Sequence, residues 1–121
     1  MKIAVYPGSF DPFTLGHKDI LLRSSKIFDN VIVAIGENHG KQNLFSVEER
    51  INDISNEIND MGIKDNVIVK SFSGLIVDFA RSNDANILIT GVAGLLGSRL
   101  ADHLSQNTNH LLIFYKIFFQ Q

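Results

Sequence analysis

Apolar and polar positions along the chain alternate between two periods. Short continuous apolar runs occur at residues 3–6, 31–35, 67–69 and 87–89. Runs of this length, bounded by polar or turn residues, read as strands buried in a parallel sheet. Between them the spacing is helical. Residues 18–28 turn Ile20, Leu21, Ile27 and Phe28 toward a core. Ser46-Val47-Glu48-Glu49 is a capping box, and behind it Val47, Ile51, Ile54, Ile58 and Met61 form one apolar stripe on a helix ending near Gly62. A shorter helix is expected over 75–82, with Ser73 as its cap and Leu75, Ile76 and Phe79 inward. Residues 36–44 read as a long polar loop. An aromatic-rich apolar run at 111–119 needs burial, as a fifth strand or at a subunit contact.

Strand–helix alternation with short connections predicts an α/β domain: three layers around a mostly parallel, five-stranded sheet. Ligands on such sheets bind beyond the carboxyl ends of the strands. Ser9, Lys41 and Thr90 each follow a predicted strand, and His17 begins a helix on the same edge. They are therefore expected to converge although distant in sequence.

Composition narrows the picture a little. With 121 residues the chain is expected to be one domain. The net charge of −2 gives no basic field for nucleic acid. Cysteine is absent, which excludes disulfides and thiolate metal sites and fits a reducing cytoplasm. No apolar run is long enough to span a bilayer, and no signal peptide is expected at the N-terminus. No His/Asp/Glu cluster has the spacing of a protein-only metal site.

The chemistry concentrates in Tyr6-Pro7-Gly8-Ser9-Phe10-Asp11-Pro12-Phe13-Thr14-Leu15-Gly16-His17. Two prolines and two glycines in a dozen residues forbid a continuous helix or strand, so a stiff turn joins a strand to a helix entered near Gly16-His17. Free N–H groups at that helix start favour an anion, with a hydroxyl (Ser9) and an imidazole (His17) facing it. The pattern resembles the signature of the nucleotidyltransferase superfamily, in its Thr-x-Gly-His form at Thr14–His17. In wording it is most similar to bacterial phosphopantetheine adenylyltransferases. Phe45-Ser46-Val47-Glu48-Glu49-Arg50 and Ser73-Gly74-Leu75-Ile76-Val77-Asp78-Phe79-Ala80-Arg81 resemble two further segments of that family.

This resemblance runs over residues 1–89 and implies a Rossmann-like nucleotidyltransferase fold, here truncated. It implies transfer of an adenylyl group from ATP to 4′-phosphopantetheine, giving dephospho-coenzyme A and pyrophosphate, with Mg²⁺ arriving on the nucleotide phosphates. By the same resemblance, His17 steadies charge on the α-phosphate and Ser9 contacts the acceptor phosphate. Ser9 and Phe10 meet the nucleotide, Lys41 sits against the acceptor phosphate, and Ile76 touches the pantetheine arm. It further implies a cytoplasmic homo-oligomer, the family's hexamer.

Residues 90–121 depart from the family. Two phosphate-holding arginines of the family's Arg-Gly-Leu-Arg are replaced in Thr90-Gly91-Val92-Ala93. Charge-assisted hydrogen bonds contribute roughly 1.5–3 kcal/mol each. Loss of two would cost on the order of 10²–10⁴-fold if additive. The segment from Ile87 to Leu104 instead resembles the glycine fingerprint of extended short-chain dehydrogenases, at Gly91, Gly94 and Gly97. Three readings therefore stand: adenylyl transfer, a non-catalytic nucleotide-binding remnant, and a dinucleotide-binding module on the second glycine turn. Arg81 and Arg99 are the cations that could take the vacated place.

Overall fold

The computed structural model describes residues 1–37 and 42–90 in full and residues 91 and 112–116 as backbone. Its strands are β1 (Ile3–Gly8), β2 (Asn30–Gly36), β3 (Val67–Phe72), β4 (Ile87–Gly91) and β5 (Leu112–Lys116). They form one sheet in the order β3-β2-β1-β4-β5. The first four run parallel, and β5 is antiparallel to β4. The described helices are α1 (Leu15–Ile27), α2 (Val47–Met61) and α3 (Ile76–Ser82).

The layering follows from this order. The chain steps outward from β1 to β3, and then α3 carries it back past β1 to β4. Right-handed crossovers therefore put α1 and α2 on one face and α3 on the other. Side chains of the central strands alternate to match. Ala4, Tyr6, Val31, Val33 and Ile35 join Leu21 of α1 and Ile54 and Ile58 of α2. Val5, Ile32 and Ala34 join Ala80 of α3 on the opposite side. The strand order reverses between β1 and β4, so the carboxyl ends of these two strands form the switch point where ligands of such sheets bind.

Several local expectations are corrected. Helix α1 starts at Leu15, just ahead of the expected entry near Gly16-His17, because Thr14 caps it. The cap position of α3 is Leu75, with no side-chain cap bond, not Ser73. Gly74, at φ 83°, turns the chain between the two in the left-handed region open to glycine. Leu75 itself is exposed, not inward, because a cap residue precedes the helical face. Ile27 is also exposed, and its neighbour Phe28 takes the place in the core.

Candidate functional site

The site begins where β1 ends. Gly8 carries no side chain and Phe10 lies against it: a Cβ on Gly8 would stand 3.0 Å from Phe10 Cζ. Phe10 adopts φ 48°, a left-handed conformation that bulky residues rarely take. Such strain persists where the surroundings over-determine it. Here the ring is 2% exposed and meets Tyr6 and Phe13 edge-on, at 5.1 and 5.8 Å between centroids. Phe10 thus has a packing role, as the floor under the turn.

Thr14 and His17 close that turn as a reciprocal cap. The Thr14 hydroxyl accepts from the His17 backbone N–H at 3.3 Å. In return, His17 Nδ1 accepts from the Thr14 backbone N–H at 3.0 Å. A backbone N–H can only donate, so Nδ1 must offer its lone pair, and the neutral ring carries its proton on Nε2. The imidazole stacks on Phe13 at 5.7 Å and meets the Phe10 ring edge-on at 4.9 Å. Burial in this aromatic setting pushes the His17 pKa below the usual imidazole value. The result is a neutral donor, Nε2–H, on the ring edge opposite the cap. It stands at the start of a helix whose open N–H groups and dipole also favour negative charge.

Ser9 is exposed on the same edge. It lines a cavity of about 290 Å³ with Gly36, Glu37, Asn43, Phe72, Ser73 and Gly74, at the carboxyl ends of β1, β2 and β3. A larger cavity, about 420 Å³, lies toward α2 and is lined by Phe10, Pro12, Phe45, Glu49, Arg50, Asn52, Asp53 and Asn56. Its size does not make it the better site. Both cavities carry carboxylates, Glu37 in the smaller and Glu49 and Asp53 in the larger, but the smaller one opens on the strand ends and holds Ser9.

The structure therefore stacks Phe10 against His17, and Ser9, next to Phe10 in the chain, lines the smaller cavity. Ile76 begins α3 and packs against the Val5–Ile32–Ala34 side of the sheet. Lys41, Gly94, Gly97, Arg99 and the expected helix after β4 lie outside the described residues, as do His39, His103 and His110; Gly91 ends β4. Arg81 is in the last turn of α3, which leads toward the amino end of β4, away from Thr90.

Two residues of the site escaped the sequence reading. The Asp11 carboxylate accepts from Leu44 N–H at 2.8 Å and from Phe45 N–H at 2.9 Å. Arg50, 2% exposed, donates through Nη1 to the Ser9 carbonyl at 2.7 Å. A signal for Arg50 was present: it lies four and eight residues before Ile54 and Ile58, on a stripe that a charge enters only with a partner.

A family model described as cytidylyltransferase-like matches residues 5–116. The phosphopantetheine adenylyltransferase of Clostridium novyi (strain NT) is 49% identical over 92 residues, which cover 76% of this chain and 55% of that protein. That of Clostridium tetani (strain Massachusetts / E88) is 50% identical over 95 residues, 78% of this chain and 58% of that one. The chain thus spans little more than half the length of these curated relatives. Among solved structures, a bifunctional NMN adenylyltransferase/ADP-ribose pyrophosphatase from Francisella tularensis superposes with a TM-score of 0.54 at 26% identity, covering 69% of this chain and 26% of that one.

Proposed function

The chain belongs to the cytidylyltransferase-like family, and we propose that it transfers the adenylyl group of ATP to 4′-phosphopantetheine, giving dephospho-coenzyme A and pyrophosphate. The observation that carries the proposal is the His17 cap, which consumes Nδ1 and leaves a neutral Nε2–H at the mouth of α1. Identity of about half with two phosphopantetheine adenylyltransferases supports the choice of substrates.

In this reading an oxygen of the acceptor phosphate attacks the α-phosphorus of ATP in line, and the bond to pyrophosphate breaks. No covalent intermediate on the protein is needed, so its residues position and stabilise charge. His17 Nε2–H donates to an α-phosphate oxygen as negative charge builds there. The Ser9 hydroxyl holds the acceptor phosphate, joined by Lys41 from the polar loop. The Ser9–Phe10 backbone borders the nucleotide, and Ile76 borders the pantetheine arm. Mg²⁺, when bound, neutralises phosphate charge. Among the described residues no group of three or more His, Asp or Glu side chains stands ready to hold a metal. The Asp11 carboxylate is already committed to two backbone N–H groups. The ion would thus be held by the nucleotide's own oxygens, the usual habit of Mg²⁺.

Among the described residues no helix is long and apolar enough to cross a membrane. The proposed reaction belongs in the cytoplasm, and a homo-oligomer would share it among copies. The test is pyrophosphate release from ATP that depends on 4′-phosphopantetheine. A folded chain that releases none overturns the proposal. The second reading, nucleotide binding without transfer, is favoured by one fact: Thr90-Gly91-Val92-Ala93 carries no arginine. Calorimetric binding of ATP without turnover would select it.

A further inference from the structure

Two tethers cross between the turn after β1 and the start of α2, and they are chemically one-sided. The turn supplies only acceptors, the Ser9 carbonyl and the Asp11 carboxylate. The α2 side supplies only donors: Arg50 Nη1 at 2.7 Å, and the Leu44 and Phe45 N–H groups at 2.8 and 2.9 Å. Arg50 Nε also donates to the Ser46 carbonyl at 3.3 Å, which fixes the guanidinium to the first turn of its own helix. The turn cannot shift relative to α2 without leaving a buried cation and a carboxylate unpaired at the same time.

The tethers also form a partition. Ser9 and Asn43 face the smaller cavity, while Phe10, Phe45 and Arg50 face the larger one. Phe10, held between the two tethered residues, is the ring that meets His17 at 4.9 Å. Stability alone is a poor reason for Arg50 to be here. It is buried, and its Nη2 has no hydrogen-bond partner. Burying a charge without meeting all of its hydrogen bonds costs stability.

We propose that Asp11 and Arg50 are positioning residues for the transfer, which hold Ser9 and the Phe10–His17 stack in one geometry against α2. The inference rests on the adenylyl-transfer reading. Neither residue touches the reacting atoms. Arg50 acts through the Ser9 carbonyl, and Asp11 through the backbone that enters α2. Misplacement of a reacting group by an ångström can cost about 10²-fold in rate.

The experiment compares the full chain with Arg50→Met, Arg50→Lys and Asp11→Asn. Turnover, melting temperature and backbone amide exchange at Leu44 and Phe45 are measured. Arg50→Met removes the donor to the Ser9 carbonyl and should melt near or somewhat below the wild-type temperature, yet lose kcat per folded molecule on the order of 10²-fold. Arg50→Lys keeps the charge without the fork, and should lose about tenfold or more. Asp11→Asn offers one acceptor oxygen for two N–H groups, so exchange at Leu44 or Phe45 should quicken as kcat falls. Variants that melt lower but keep wild-type kcat per folded molecule overturn the proposal, because the tethers would then be structural only. If Arg50→Met does not fold, the other two variants decide by the same readouts. A wild-type chain that neither binds nor turns over the two substrates overturns the transfer reading and this inference together; an active wild type beside equally active variants overturns the inference alone.

Discussion

Helices α1 and α2 begin with the same device and put it to different ends. Each has a hydroxyl at its cap, Thr14 or Ser46, that accepts from the backbone N–H three residues on. Each has a side chain at that third position that accepts from the cap's own N–H, His17 Nδ1 at 3.0 Å or Glu49 Oε1 at 3.2 Å. The glutamate seals the helix start and adds a favourable negative charge. The histidine performs the same sealing with one nitrogen and keeps a donor on the other. A local folding motif thereby sets the tautomer of the residue proposed to face the phosphate.

The sharpest way to break this comparison is to make α1 resemble α2. His17→Glu should preserve the cap, and the melting temperature should stay near wild type. It removes the donor and sets a carboxylate against phosphate, so turnover should fall by at least about 10²–10³-fold. Pyrophosphate release alongside a thermal melt measures both. Next in size is Gly8→Ala. The new Cβ would press on the Phe10 ring at 3.0 Å, and the ring cannot yield without opening the core. A loss of about 1–3 kcal/mol in denaturant unfolding is expected, with turnover reduced because the His17 stack moves. On the other helix, Ser46→Ala should cost about 1 kcal/mol and leave kcat unchanged.

Protonation offers a gentler probe. The His17 pKa is lowered by burial, and Nδ1 faces an N–H, so the imidazolium is disfavoured in the folded state. A depressed folded value means that the contribution to stability is complete above the unfolded imidazole pKa of about 6.5 and is lost as pH falls through the lower folded value. Turnover should accordingly hold as pH drops past the ordinary imidazole range and decline only below it. A pH–rate profile checks this. The smallest effect is expected at the Lys18–Glu57 bridge between α1 and α2, 3.0 Å long and partly exposed. Its double-mutant cycle should return no more than about 1 kcal/mol.

How much of this was legible in the sequence follows the same contrast. The cap of α2 is written in residues known to cap, Ser46 and Glu49, and α2 starts and stops where expected. The cap of α1 is written with histidine, so Thr14 does not stand out in the sequence as a cap. The central strands were legible because they are buried on both faces and therefore read as unbroken apolar runs. The direction of β5 was not, since an apolar run has no sense of its own and its pairing is decided by the connection before it. Ser9 and His17 stood out through glycine, proline and the helix start around them. Asp11 and Arg50 did not, because each acts on backbone groups 33 or more positions away, and no local pattern encodes that.

The most direct test of the whole account is the nitrogen and proton NMR of the His17 ring at neutral pH, with and without ATP. A neutral imidazole with an unprotonated Nδ1 is expected, with an Nε2–H signal that shifts on adding ATP. A protonated ring, a proton on Nδ1, or an Nε2–H signal indifferent to ATP would contradict it.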